Sequence, residues 1–241
     1  MSDWTAAHGL NRNQLKNIAV AAMILDHVGA FLIPGSGVLY LLCRTIGRLT
    51  APVMCFFLAE GFHRTSSRKN YALRLFLFAV ISQFPYAFLH GGLFHANLNV
   101  LFTLLISFCV LAARHSTAPP AIKWTFTALL LVLSISGDWG VVAPLWVLCF
   151  DLFRGSRRRQ LTAFALIAGA DLLYIVTADL TGGLAWHLHL WEAGLFLFIP
   201  LILLYNGQRG SGGAFGKWFF YIIYPLHFGI IILIMHIPVL P

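Results

Sequence analysis

From residue 15 to residue 236 the chain is an almost unbroken series of apolar runs, and Lys and Arg collect in every second break between them. The runs lie at 15–33, 38–62, 71–90, 98–113, 121–136, 140–153, 160–178, 185–205 and 216–236. A helix needs about 20 apolar residues to cross the hydrocarbon core. The pattern therefore predicts an all-α, polytopic transmembrane bundle of about nine spans, with residues 1–241 forming a single membrane domain. Only 10% of the residues are charged, against about 25% in soluble domains, and this excludes a water-soluble fold. The chemistry is expected within the membrane or in short loops.

The charge asymmetry sets the expected orientation. Arg12 and Lys16 precede the first run, and Arg64, Arg68, Lys69 and Arg74 follow the second. Arg114 and Lys123 follow the fourth, Arg154, Arg157, Arg158 and Arg159 the sixth, and Arg209 and Lys217 the eighth. The alternate breaks (34–37, 91–97, 136–139, 179–184) carry neither residue type. By the positive-inside rule the N-terminus is cytoplasmic and the C-terminus outside. Only Arg44 and Arg48 lie outside this pattern, and the periodicity explains the basic balance of 16 Lys+Arg against 8 Asp+Glu without a nucleic-acid partner. Asp26-His27 interrupts the first run, which therefore reads as a span and not as a cleaved signal peptide. Cys43, Cys55, Cys109 and Cys149 lie in runs without CxxC spacing and read as buried apolar residues. The stretch 206-NGQRGSGGAFG-216 reads as an inside linker.

Ionisable groups inside the runs are the informative residues, since a charge at the bilayer centre costs about 2.5–3.5 kcal/mol even on lenient scales. At 1.5 Å per residue, Asp26 and His27 sit about 15–17 Å from the inner boundary, as do Asp171 and His227. Arg48 reaches a similar depth from the other side, and Arg44 lies one turn away on the same helical face. Asp26 and His27 are adjacent and point about 100° apart on a helix. If Asp26 pairs with an arginine, His27 remains for a cavity. Pairing alone would also explain Asp26 and Arg48, and His227, just after 224-YP-225, would also serve to satisfy a kinked backbone. Glu60 and Arg64, at i,i+4, read as a helical ion pair. His90, His95 and 187-HLHLWE-192 lie at the outer level, where interfacial His and Trp are common. HxHxxE matches no strong zinc spacing, and no metal is expected.

The stretches 15-LKNIAVAAMILDHVGAFLI-33, 44-RTIGRLTAPVMCFFLAEGFHRT-65, 71-YALRLFLFAVISQFPYAF-88, 97-NLNVLFTLL-105 and 221-YIIYPLHFG-229 resemble the TraX family, integral membrane acetyltransferases of the F-pilin acetylase type. The resemblance implies a bacterial inner-membrane enzyme with acetyl-CoA as co-substrate and a pilin N-terminal amine as acceptor. A looser resemblance is to the membrane acyltransferases that acetylate surface polysaccharides, which carry a basic residue, ten spacers and a His in their first span, and an arginine pair later. Lys16 and His27 have that spacing, and Arg44 and Arg48 are similar to the pair. The first two are about 16 Å apart along a helix, on the order of an extended pantetheine arm.

The expected chemistry is acetyl transfer from cytosolic acetyl-CoA to an amine or hydroxyl of a peptide or glycan. His27 is the expected general base, and Arg48 or Arg44, beside Asp26, the stabiliser of the oxyanion. Asp171, His227, Tyr224, Gln83 and Asn99 are acceptor-site candidates. Lys16, Arg64, Arg68, Lys69 and Arg74 are candidates for the CoA phosphates. Besides these, the expected partner is membrane lipid. Two other classes fit the same residues: a proton-coupled transporter using the buried groups as a relay, and a non-catalytic scaffold for envelope or pilus assembly. The absence of related halves speaks against the transporter.

Overall fold

The computed structural model describes residues 9–35, 37–94, 97–185, 189–210 and 215–236. His95, His187, the middle of the 206–216 linker and the segment after His236 lie outside these residues. The described residues are helical: α1 (Arg12–Leu32), α2 (Val38–Gly47), α3 (Thr50–Arg64), α4 (Arg68–Leu89), α5 (Val100–Arg114), α6 (Pro120–Ser134), α7 (Val142–Leu152), α8 (Arg157–Thr181), a 3-10 segment (Leu190–Leu197), α9 (Phe198–Leu203) and α10 (Phe215–His236). Among them there is no strand, and extended pairing is limited to the isolated bridges Leu10–Tyr205 and Leu98–Gly137.

Five stretches are long and apolar enough to cross a membrane: 12–32, 38–64, 68–89, 157–181 and 218–236. The apolar helices at 100–114, 120–134, 142–152 and 190–203 are shorter, and a full crossing needs about 20 residues. By length the structure supports five crossings, and the nine-span count goes beyond it. Large apolar side chains face outward along the long helices, such as Phe76, Phe84 and Phe88 on α4 and Leu233 and Ile234 on α10. Water would not tolerate so much contiguous apolar surface and lipid would. The chain is an all-helical, multi-pass membrane protein.

Two apolar runs that read as continuous spans are broken. Between α2 and α3 the helix tightens, with Leu49 N–H donating to Ile46 O at 3.1 Å. Pro52 follows; it has no N–H for the Arg48 carbonyl, and its ring crowds that carbonyl. The Thr50 hydroxyl donates to Ala19 O on α1 at 3.0 Å. The run 185–205 divides into the eight-residue 3-10 segment and six-residue α9. Runs of 3-10 helix longer than three or four residues are uncommon.

The chain forms two compact units. Residues 1–54 and 170–241 make the first, and residues 55–169 the second. The first begins at α1, where Asn11 caps the helix and Gln14 closes the capping box. Leu10 N–H donates to Leu204 O at 2.8 Å and Asn206 N–H to Leu10 O at 3.0 Å, tying this start to the end of α9. Leu15, Ala19, Phe198, Ile202 and Phe228 form its buried interior. The second unit packs around Phe62, Phe108, Trp146, Phe150 and Phe164. Trp146 meets Phe164 at 5.2 Å and Phe62 meets Phe108 at 5.1 Å.

In the first unit, glycine lets α1 and α2 approach closely, as small residues do between membrane helices. A Cβ on Gly29 would stand 2.7 Å from Cys43 Cβ, and one on Gly47 would overlap the Asp26 side chain itself. Gly47→Ala is therefore expected to displace the Asp26 carboxylate and destabilise the unit by about 1–3 kcal/mol, as overpacking does. Detergent melting checks this, and an unchanged transition would show that the helices can separate without loss.

Candidate functional site

Asp26 is the centre of a buried ionic cluster in the first unit. It projects from α1 between Arg44 of α2 and Arg48, the residue that caps the end of α2: Arg44 Nη1 donates to Oδ1 and Arg48 Nη2 to Oδ2, each at 2.8 Å. The i,i+4 spacing of the arginines puts both guanidinium groups on the α1 side of α2. Trp191, from the 3-10 segment, covers both with its ring, 4.2 Å from Arg44 Cζ and 4.6 Å from Arg48 Cζ. Glu192 adds a second carboxylate, 3.5 Å from Arg48 Nη1. Asp171, half-buried on α8, lies within electrostatic reach of Arg48 and Glu192. Gly194 makes this possible, since any Cβ there would run into the Thr45 carbonyl of α2. Two cations and two close anions thus neutralise one another, as a low-dielectric site requires.

His27 faces elsewhere, as its place next to Asp26 implies. It meets His227 of α10, with His27 Nδ1 3.1 Å from His227 Nε2. Each Nδ1 also lies near a carbonyl one turn back in its own helix: Met23 O at 2.9 Å for His27 and Ile223 O at 3.1 Å for His227. Carbonyls only accept, so the partners assign N–H to both Nδ1 atoms in the neutral rings. His227 Nε2 then offers its lone pair to the His27 Nδ1–H, and the His27 lone pair resides on Nε2. Among the described residues, Nε2 of His27 has no hydrogen-bond partner. Phe228, 4.7 Å away edge-on, and Phe31, stacked at 6.2 Å, hold the ring. The bond from His227 to Ile223 follows the side chain's own i−4 geometry and does not depend on Pro225. Tyr224 is buried with its ring 5.5 Å from that of His227.

The structure thus brings Asp26, Arg44, Arg48 and Asp171 into one cluster and His27, His227 and Tyr224 into another, both within the first unit. Gln83 and Asn99 belong to the second unit and engage each other. Asn99 is fully buried and caps α5 through Leu101 N. Its Nδ2 donates to Ala79 O and Gln83 Oε1, both at 2.8 Å. Gln83 Oε1 also accepts from Asn99 N at 3.0 Å, while its Nε2 donates to Asn97 O at 3.1 Å. This clasp joins α4 to the start of α5 and accounts for both residues without an acceptor.

The basic candidates are divided between the units. Lys16, in the first, places its ammonium 4.8 Å from the Phe220 ring. In the second, Arg64 pairs with Glu60 at 2.8 Å, the i,i+4 contact expected from the sequence. Arg68 lies over Phe62 at 4.1 Å, Arg74 lies 5.6 Å from Tyr71, and Lys69 is exposed.

Trp191 and Glu192, the end of HLHLWE, are both buried against the arginines. Arg48 Nη1, 3.5 Å away, offsets part of the cost of burying the Glu192 carboxylate. His189 pairs with Asp179 at 2.7 Å. The sequence reading passes over Asp151, an acid inside the sixth apolar run. It is buried and takes contacts from His63, Arg114 and His115. The rule that singles out Asp26 applies equally to it.

The family described as "TraX protein" matches residues 11–235. The chain is 31% identical over 228 residues to a probable fimbrial assembly protein, FimC of serogroup H1, from Dichelobacter nodosus, covering 90% of this chain and 93% of that protein. It is 43% identical over 49 residues to an uncharacterized protein of Rickettsia prowazekii (strain Madrid E), covering 20% of this chain and 18% of the other. No solved structure matches. With the family match running nearly end to end, the chain belongs to the TraX family.

Proposed function

We propose that this chain is a pilus-related membrane acetyltransferase, which moves an acetyl group from cytosolic acetyl-CoA to an amine or hydroxyl acceptor. The family supports an envelope role, and the fimbrial assembly relative favours a pilin-type peptide over a surface glycan. The observation that carries the chemistry is the orientation of His27. Its Nδ1–H is held by Met23 O and His227, which leaves Nε2 as the basic atom.

In the proposed reaction Nε2 takes the proton from the acceptor N–H or O–H as that atom attacks the thioester carbonyl. The tetrahedral oxyanion needs a preorganised donor. Arg44 is the less committed arginine: its Nη1 is held by Asp26, whereas Arg48 reaches both Asp26 and Glu192. Collapse breaks the C–S bond, and the proton on His27 passes to the departing sulfur, giving the acetylated acceptor and CoA. Arg48, between Asp26 and Glu192, is a positioning residue. Lys16, on α1 with His27, is proposed for a CoA phosphate. A phosphate would compete with the Phe220 ring contact described for it.

Incubating the purified protein with labelled acetyl-CoA and a pilin N-terminal peptide tests this reading. Labelled peptide and free CoA in equal amounts are expected. Neither acetyl-CoA binding nor label transfer would leave the assembly-scaffold reading in its place.

The topology proposed with this function has nine spans in the bacterial inner membrane, a cytoplasmic N-terminus and an outer C-terminus. Reporters inserted within 114–123 and 154–159 are expected to be active only in the cytoplasm, and one after Pro241 only outside. A cytoplasmic signal after Pro241 would mean an even number of crossings.

A further inference from the structure

We infer that the second unit carries a binding site for a divalent transition metal of the zinc class, formed by His63, His115 and Asp151. The three residues come from the last turn of α3, the end of α5 and the last turn of α7. Their ligating atoms all lie within 4.8 Å of one another. Two imidazoles and one carboxylate are a donor set that suits zinc, and three protein ligands leave a fourth position for water or a small anion.

Three features separate this cluster from a chance meeting of polar ends. First, both imidazoles present the same atom, Nε2, to opposite oxygens of one carboxylate: His63 to Oδ1 at 2.5 Å and His115 to Oδ2 at 2.9 Å. An ion about 2.1 Å from each donor requires only small side-chain movements from there. Second, the rings are held. They stand perpendicular, 5.1 Å apart, and both pack on Phe62, at 5.4 Å and 5.5 Å. Third, Arg114 Nε donates to Asp151 Oδ2 at 2.8 Å. Such a hydrogen bond orients a ligating carboxylate and leaves Oδ1 for the ion. Arg114 is a third exposed, so water screens its charge.

Access is open. His63 and Asp151 line a cavity of about 180 Å³ together with Glu60, Arg64, Arg154 and Gln160. An ion bound there would join three helix ends that are distant in sequence, and its fourth position would face a cavity whose arginines favour an anionic ligand.

The test is a titration of the full-length protein, purified in detergent on a tag without histidine and dialysed against a chelator. Zinc alone is followed by calorimetry and cobalt alone by its visible absorption. One ion per chain is expected, with a tetrahedral cobalt spectrum. His115→Gln keeps a donor for Asp151 while removing a ligand. It should therefore melt close to wild type yet bind zinc more weakly by on the order of 100-fold or more, beyond the usual effect of a supporting hydrogen bond. His63→Gln is expected to behave likewise, and His90→Gln, outside the cluster, should bind as wild type. No stoichiometric binding by the wild type would overturn the inference and leave Asp151 as a hydrogen-bonded hub. Unweakened binding in both cluster variants would overturn it as well.

Discussion

Replacing His27 with Ala is expected to lower acetyl transfer by about 10²–10⁴-fold, the usual contribution of a positioned base. Acetyl-CoA should still bind, because the group proposed for its phosphate lies on another side chain. Folding should survive. The imidazole donates one hydrogen bond, shared between Met23 O and His227, and losing such a bond costs about 1–3 kcal/mol when a partner is left unsatisfied. His227→Phe would keep the ring contacts with Phe228 and Tyr224 and remove the acceptor that orients His27 together with the donor to Ile223 O. It should reduce turnover less than His27→Ala does and leave acetyl-CoA affinity unchanged. Turnover per folded molecule and detergent melting, measured on one preparation, decide the matter. Normal turnover with a lowered transition would make the two histidines a packing pair, and the acetyltransferase mechanism would lose its base.

How much of this site is legible in the sequence depends on what kind of relation places each residue. Asp26, Arg44 and Arg48 are legible because a charge in an apolar run must be paired. Two arginines four apart on one short helix limit where the partner lies. The split roles of Asp26 and His27 follow from helical geometry alone. Trp191 and Glu192 are not legible, because hydropathy gives depth only if the helix is regular. The 3-10 segment breaks that assumption. The break at Arg48 has a visible signal in Pro52, which an apolar run of uniform hydropathy conceals. Asn99 and Gln83 carry the family resemblance, yet nothing in the sequence distinguishes a polar clasp between two helices from an acceptor site. The contacts of His63 and His115 with Asp151 span 88 and 36 residues. No local period connects them, and only the packing of α3, α5 and α7 brings them together.

Asp26→Ala is expected to be the most damaging single change to stability. Both arginines would remain half-buried one turn apart with their shared carboxylate gone, and breaking a buried pair from one side typically costs about 3–5 kcal/mol. Trp191 offsets part of this, since both guanidinium groups lie over its ring, a contact worth about 0.5–2 kcal/mol. Glu192, at 3.5 Å from Arg48 and 11% exposed, holds one arginine better than the other. Arg44 is therefore the charge left most exposed to the penalty. It follows that Asp26→Ala should give little folded protein, and that adding Arg44→Met should recover part of the yield by removing the stranded cation. The recovered double variant should remain poor in transfer, because the oxyanion donor is gone with Arg44. Arg48→Lys probes the other half of the cluster: it keeps the charge and loses the planar fork, so it should fold better than Arg48→Ala while transferring acetyl poorly. Folded yield, melting and turnover of this series separate the electrostatic role of the cluster from its catalytic one. An Asp26→Ala protein that melts like wild type would mean that water reaches the arginines, and the dry site required for oxyanion stabilisation would not exist.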